Sequence, residues 1–349
     1  MPEQTADRTV HQNGEIEIAR DQGEGETIIM EKENKTFILS TSPHLKSAET
    51  VSKIMLSVVV TLIPAVAYSI YQFGLYTLLL YVVSVATCVV SEYVVVLLRK
   101  RPFTLGDYSA VVTALLLVMV LPPRFPVYGV ILGSFVAIVI GKQIFGGLGY
   151  NIFNPALIGR AFLAATYPVH ISSYVLPKLG VDALSAATPL ARMKFDGVLI
   201  PLKPLFFGMI GGSIGETSAF LLLIGALYLI LKKYIKWRIP ASIFITVFVL
   251  GEIFHLINPG RYPDGVFHLF AGGLMIGGLY MATDMVTSPL THRGCIIFGA
   301  GIGALVIMIR LFGGLPEGVM YAILFMNAFV PLINRATKPR IFGTGTKNE

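Results

Sequence analysis

GKQIFGGLGYNIFNPALIGR, residues 141–160, is the stretch on which the fold turns. Long apolar runs lie on both sides of it, yet it carries repeated glycines, Asn151, Asn154 and Pro155. Asn and Pro within an apolar run point to a bent or broken helix facing protein or a cavity. If residues 150–166 cross the membrane, the chain crosses about ten times. The basic clusters Arg99-Lys100-Arg101, Lys232 to Arg238 and Arg335 to Arg340 then share one side. If the run is re-entrant, everything after it inverts and Lys232 to Arg238 falls on the charge-poor side. The positive-inside rule selects the crossing and makes both termini cytoplasmic.

Composition agrees with a membrane protein. Of 349 residues, 54% are hydrophobic and 13% charged, against about a quarter charged in soluble domains. The formal charge of +7 sits at the ends of apolar runs, so it reads as topology and not as a nucleic-acid surface. Cys88 and Cys295 lie in apolar segments with no further thiols, so this chain alone does not build an iron–sulfur cluster or a structural metal site. The N-terminus shows no signal peptide.

Residues 1–41 are polar and read as a disordered cytoplasmic tail. Helices are predicted near 53–73, 75–98, 107–121, 126–142, 216–231, 239–256, 266–283, 294–311 and 317–334, with 150–166 as the bent tenth. Lys142 counts among the cytoplasmic loop charges in this scheme. The polar segment 167–205 is then an extracytoplasmic loop, and 344–349 a short cytoplasmic tail.

Working outward from the opening stretch, an internal repeat appears. Residues 122–160 align with 288–335: each has a Gly-studded helix, a basic residue, Phe-Gly-Gly-Leu, and then Asn, Pro and Arg. Phe145 and Phe312 are 167 positions apart, with five crossings between them. An odd number turns the second copy upside down, as in transporter cores with a site near the midplane. The expected fold class is therefore an all-α integral membrane protein of two inverted five-helix repeats. Repeat one covers about 50–166 and repeat two about 206–334 within a membrane domain at 42–343.

Candidate chemistry follows. Asp182 to Leu190, DALSAATPL, is a run of small residues with two hydroxyls. Thr188 has no adjacent His or Lys to activate it. It is either an ordinary loop residue or one modified by a separate enzyme, in which case Arg192 and Lys194 could neutralise a phosphoester. Glu92, Asp107, Glu216, Glu252, Asp284 and Glu317 lie in or near the apolar runs. Such groups mark ion paths, and Asp284 and Glu216 are the candidates for one. His255 and His268 flank an outer loop and read as interfacial, with haem ligation as the other possibility. Asn154-Pro155-Ala156 is the tripeptide of water channels, but MNAFVPLINR in the second repeat supplies no partner copy.

Asp-x-Leu-Ser-Ala-Ala-Thr resembles the flavinylation motif of the RnfD/NqrB family of membrane subunits. SPHLKSAETVSKIM (42–55), GDYSAVVTALLLVMVLPP (106–123), GGSIGETS (211–218), MATDMVTSP (281–289) and IRLFGGLPEGVMYAILFMNAFVPLI (309–333) also resemble RnfD segments, in family order. The resemblance implies FMN joined through its phosphate to Thr188 by a flavin transferase that reads Asp182 and Ser185. Ala186 departs from the glycine commoner there. The resemblance also implies a second, non-covalent flavin, riboflavin, for which Asn151 and Asn154 are the candidate ligands. It further implies other Rnf subunits (A, B, C, E and G) as partners, and a prokaryotic cytoplasmic (inner) membrane location. The function it implies is electron relay between ferredoxin- and NAD-linked subunits, coupled to Na⁺ or H⁺ movement. No Gly-rich NAD-binding turn follows a strand here. An NqrB-like quinone-reducing subunit, or a stand-alone channel or carrier without flavin, are the alternatives.

Overall fold

The structure, a computed structural model, describes residues 17–20, 26–32, 35–39, 49–100, 105–176, 187–198, 200–208, 210–217 and 219–339. The chain divides into two compact units, Met1–Thr50 and Val51–Glu349.

In the first unit, strands β1 (Glu17–Arg20), β2 (Glu26–Lys32) and β3 (Lys35–Leu39) form an antiparallel sheet in that order. Glu17 pairs with Ile29, and Ile28 with Leu39. These strands replace part of the expected disordered tail. Average composition hides two short runs, ETIIMEK and KTFIL, whose β-branched and aromatic residues favour strands.

The second unit is helical. Among the described residues, five helices are long and apolar enough to cross a membrane: α1 (Val51–Phe73), α2 (Leu75–Leu98), α10 (Arg238–Ile257), α13 (His292–Phe312) and α14 (Val319–Ala336). Shorter apolar helices are α3 (Ser109–Met119), α4 (Val127–Ile138, extended by a π turn Val139–Gln143), α5 (Pro155–Thr166) and α9 (Ala219–Leu231). The 167–205 segment, expected as a plain loop, contains α6 (Pro168–Ile171), α7 (Pro189–Ala191), a π turn Arg192–Asp196 and α8 (Leu202–Phe207).

The helix surfaces reverse the polarity of a soluble protein. Val60, Ile63, Val82 and Val90 face outward, each more than half exposed, while Ser69, Thr77, Ser84 and Glu92 are fully buried. Lipid solvates such apolar surface, and the polar side chains must find partners inside. Ser69 Oγ meets the Tyr81 hydroxyl at 3.2 Å, and Ser84 Oγ meets Ser134 Oγ at 2.8 Å. This is a multi-pass membrane protein.

Small residues let the helices approach closely. A Cβ on Gly299 of α13 would lie 1.8 Å from Ser242 Oγ on α10, and one on Gly303 2.8 Å from Thr246 Cβ. Between α4 and α5, a Cβ on Gly159 would lie 2.7 Å from the Gly133 carbonyl oxygen.

Two interruptions position the site. Residues 144–154 are not helical, and α5 begins only at Pro155. The run 266–283, predicted as one helix, is instead α11 (Gly265–Phe270), a break at Ala271–Gly273, α12 (Leu274–Ile276) and a π turn Gly277–Met281. Gly272 carries the break at φ +70°, a left-handed conformation that costs glycine nothing.

Candidate functional site

The two interruptions meet. Asn154 caps α5: its Oδ1 accepts from the backbone N–H groups of Ala156 (3.0 Å) and Leu157 (3.4 Å). Its Nδ2 donates to the Met281 carbonyl, 3.1 Å away, at the end of the π turn. With its amide oriented to satisfy both atoms, Asn327 of α14 accepts from the Asn154 backbone N–H and donates to the Thr287 carbonyl. The broken segment of each half is thereby stitched to the other.

Beside this joint lies a cavity of about 70 Å³, well below the roughly 300–1,000 Å³ of drug-sized ligand sites. Much of its wall is apolar, with Val58, Leu116, Leu148 and Ile235 among the lining residues. The lining residues with polar side-chain groups are Ser109, Thr113, Lys142, Asn151, Asn154, Tyr234, Tyr280, Thr283 and Asp284. Asp284 Oδ2 accepts from Thr287 Oγ1 at 3.2 Å, and the Asn151 amide lies beside its carboxylate. Asn151 Nδ2 donates to the Phe153 carbonyl at 3.2 Å, but its Oδ1 is buried with no hydrogen-bond partner. An unmet buried acceptor costs about 1–3 kcal/mol, so this atom suits a donor supplied by a ligand or water.

Asn151, Asn154 and Asp284 thus line one cavity. Glu216 sits elsewhere, in a 3₁₀ turn Ile214–Thr217, within electrostatic reach of Glu317 and Arg160. Ser213 Oγ donates to Glu216 Oε1 at 2.7 Å, and Glu216 Oε2 is buried without a partner. Arg160 of α5 donates to Glu317 Oε2 at 3.0 Å, and the Gly273 N–H donates to Glu317 Oε1 at 2.5 Å. Fully buried Arg310 donates to the carbonyls of His268 and Ala271, holding the broken segment to α13.

Thr188 is 8% exposed, and its Oγ1 accepts from the Ala191 N–H at 3.2 Å, capping α7. Leu190 packs where a Cβ on Gly272 would lie, 2.6 Å away. Lys194, a candidate to neutralise a phosphoester, has its ammonium engaged by backbone carbonyls. It donates to the carbonyls of Arg310, Gly313 and Leu315, with the Ile309 carbonyl 3.3 Å away, at and just beyond the end of α13, which leaves exposed Arg192 as the more available cation of the two. Asp182, Ser185 and Ala186 lie outside the described residues.

Two further expectations are corrected. Lys142, counted as a loop charge, is buried and donates to Glu92 Oε1 at 2.6 Å and Ser109 Oγ at 2.5 Å. His268, expected at the interface, is fully buried, and neither ring nitrogen has a partner. Sequence reading therefore missed Lys142, Arg160 and Arg310. The available signal was the basic residue that precedes Phe-Gly-Gly-Leu in both copies of the repeat, Lys142 and Arg310.

Residues 38–343 match the NQR2, RnfD, RnfE family. The chain belongs to that family. It is 49% identical over 319 residues to the D subunit of the proton-translocating ferredoxin:NAD(+) oxidoreductase complex of Clostridium ljungdahlii, covering 88% of this chain and 96% of that one. It is 45% identical to the D subunit of the Na(+)-translocating ferredoxin:NAD(+) oxidoreductase complex of Acetobacterium woodii, covering 87% and 95%. The D subunit of the ion-translocating oxidoreductase complex of Stutzerimonas stutzeri is 38% identical, covering 86% and 94%.

Proposed function

We propose that this chain is the flavin-bearing D subunit of an ion-translocating ferredoxin:NAD⁺ oxidoreductase, relaying electrons within the membrane as Na⁺ or H⁺ moves. The observation that carries the reading is length-matched similarity: relatives so named align over 96%, 95% and 94% of their own length. The other Rnf subunits (A, B, C, E and G) are its partners, and a flavin transferase matures it.

Thr188 is the FMN attachment point. Its hydroxyl fits a phosphoester, but it is masked as a helix cap, so attachment precedes docking of the loop or requires the loop to lift. The cavity lined by Asn151, Asn154 and Asp284 is the riboflavin site. The orphaned Asn151 Oδ1 would accept a ring N–H, and the apolar side chains around the small cavity would have to part to admit the ring. Bound there, flavins supply one- and two-electron transfer. The protein's part is to hold the ring edge with amides, exclude water with aliphatic walls, and keep Asp284 as a fixed acceptor. Asp284 and Glu216, one at the cavity and one in the Arg160–Glu317 cluster, mark the cation path.

The architecture in this reading is ten crossings in two inverted five-helix repeats: α1 to α5, then α9, α10, the broken α11–α12 segment, α13 and α14. Shared features support it. In each half the basic residue before Phe-Gly-Gly-Leu turns inward, Lys142 to Glu92 and Ser109, and Arg310 to the carbonyls of the broken segment. The termini are cytoplasmic and the Thr188 loop extracytoplasmic, in the inner membrane.

The test is in-gel flavin fluorescence of the denatured protein made with the flavin transferase. Wild type gives a fluorescent band with an FMN mass adduct, and Thr188→Ala gives neither. A dark wild-type band would overturn the covalent-flavin reading and favour a flavin-free carrier on the same scaffold.

A further inference from the structure

Three long helices end together at one surface of the helical unit. Arg238, at the start of α10, donates from Nη1 to His292 Nδ1, 3.1 Å away at the start of α13. The hydroxyls of Thr291, before α13, and Thr337, after α14, bond each other, and the Leu290 N–H donates to Asn334 Oδ1 at 2.9 Å. Lys236 Nζ reaches the Pro289 carbonyl at 2.6 Å. Residues 232–238, 289–293 and 334–339, which meet here, hold seven Lys and Arg and no Asp or Glu.

An open cavity of about 1270 Å³ lies among these ends, with Leu290, His292, Arg293, Arg335 and Lys338 in its wall. Arg238 has only N–H groups to offer, so His292 Nδ1 accepts and Nε2 carries the ring proton. Among the described residues, Arg293, Arg335 and Lys338 have no hydrogen bond or ion pair, and all three are exposed. The charged wall therefore offers donors only. Topology accounts for the sign of these charges, but not for their sharing a cavity that borders lipid. One turn inward from Arg293 on α13 lie Ile296 and Ile297, each half exposed, and one turn inward from Arg335 on α14 lies Leu332, 59% exposed. Leu290, 75% exposed, belongs to the cavity wall itself.

We propose that this cavity binds the headgroup of an anionic phospholipid: Arg293 and Arg335 grip a phosphodiester through their guanidinium forks, Lys338 adds charge, and the acyl chains run along Ile296, Ile297 and Leu332. Guanidinium groups match phosphate oxygens in pairs, and basic pockets beside spanning helices suit lipid headgroups. A free phosphate or an acidic protein segment would use the basic wall and leave the apolar track empty. The assignment needs neither flavin nor a particular sidedness, since it concerns only the end that α10, α13 and α14 share.

The experiment is native mass spectrometry of the detergent-purified full-length chain, titrated with phosphatidylglycerol, with phosphatidylcholine of the same chains, and with inorganic phosphate. Wild type is expected to hold one phosphatidylglycerol at least tenfold more tightly than phosphatidylcholine. The double variant Arg293→Gln, Arg335→Gln loses that preference. Lys232→Gln with Lys233→Gln removes the same charge from the same end, outside the cavity, and keeps it. Thermal midpoints without lipid report that each variant folds. If the arginine pair does not fold, Lys338→Gln against Lys233→Gln carries the comparison, with a severalfold loss in the first and none in the second. Equal losses in cavity and control variants would reduce the site to diffuse surface charge. No preference for phosphatidylglycerol in wild type would leave this surface to an acidic protein partner. Displacement of the lipid by inorganic phosphate at equal concentration would make the ligand a free phosphate. Any of these three outcomes overturns the lipid assignment.

Discussion

The buried Arg160–Glu317 pair shows what a single residue must satisfy inside this fold. Glu317 accepts from Arg160 and from the Gly273 N–H, with Arg310 also in electrostatic reach. Among the described residues Glu216 has no such direct cation partner, and the Ser213 hydroxyl donates to its Oε1. Removing one member of a buried pair leaves an uncompensated charge at a cost of about 3–5 kcal/mol. Glu317→Gln should therefore lower the thermal midpoint of the detergent-solubilised protein clearly more than Glu216→Gln. Equal midpoints for the two would show that the Arg160 contact contributes nothing. At this scale the sequence is half legible. The carboxylates stand out because apolar neighbours surround them. Lys142 and Arg310 do not, because a cation ending an apolar run looks the same whether it snorkels to water or turns inward to a partner.

Elements were legible where periodic apolar content alone decides them. Long helices such as α2 and α13 fall within a few residues of their predicted limits. The interruptions were legible only where glycine, Asn and Pro announce them, as before α5. The three π turns were not, since a wide turn depends on tertiary partners and no residue type encodes it. All three carry residues at the sites described: Lys142, Lys194 and Tyr280. Close helix packing makes a sharper prediction. A Cβ at Gly299 would meet Ser242 Oγ at 1.8 Å and the Ile239 carbonyl at 2.7 Å, whereas one at Gly301 meets only the pliant tip of Met326. Backbone cannot yield as a methionine can. Gly299→Ala should cost about 1–3 kcal/mol by overpacking, and Gly301→Ala much less. Thermal midpoints and the yield of folded protein measure the difference, and a reversed order would mean that α10 and α13 do not pack as described.

For the whole molecule, everything about sidedness rests on the segment that follows the opening glycines. The 12 residues of α5 rise only about 18 Å, short of a hydrocarbon core about 30 Å thick. The non-helical residues 150–154 could add roughly 16 Å if extended, at about 3.3 Å each, which brings the total close to a full crossing. Irregular backbone at that depth is tolerated only against protein or a cavity. Asn151 and Asn154 meet that condition by lining the cavity and binding the Phe153 and Met281 carbonyls. In the proposed ten-crossing architecture, these two amides are what would let the irregular backbone lie at that depth. One consequence can be measured directly. In a variant otherwise lacking reactive thiols, Gly180→Cys should react with an impermeant thiol reagent added outside intact cells. Lys233→Cys, from the cluster whose side decided the topology, should react only after lysis. The opposite pattern would make the segment re-entrant, invert the second half of the chain, and put Thr188 on the cytoplasmic side.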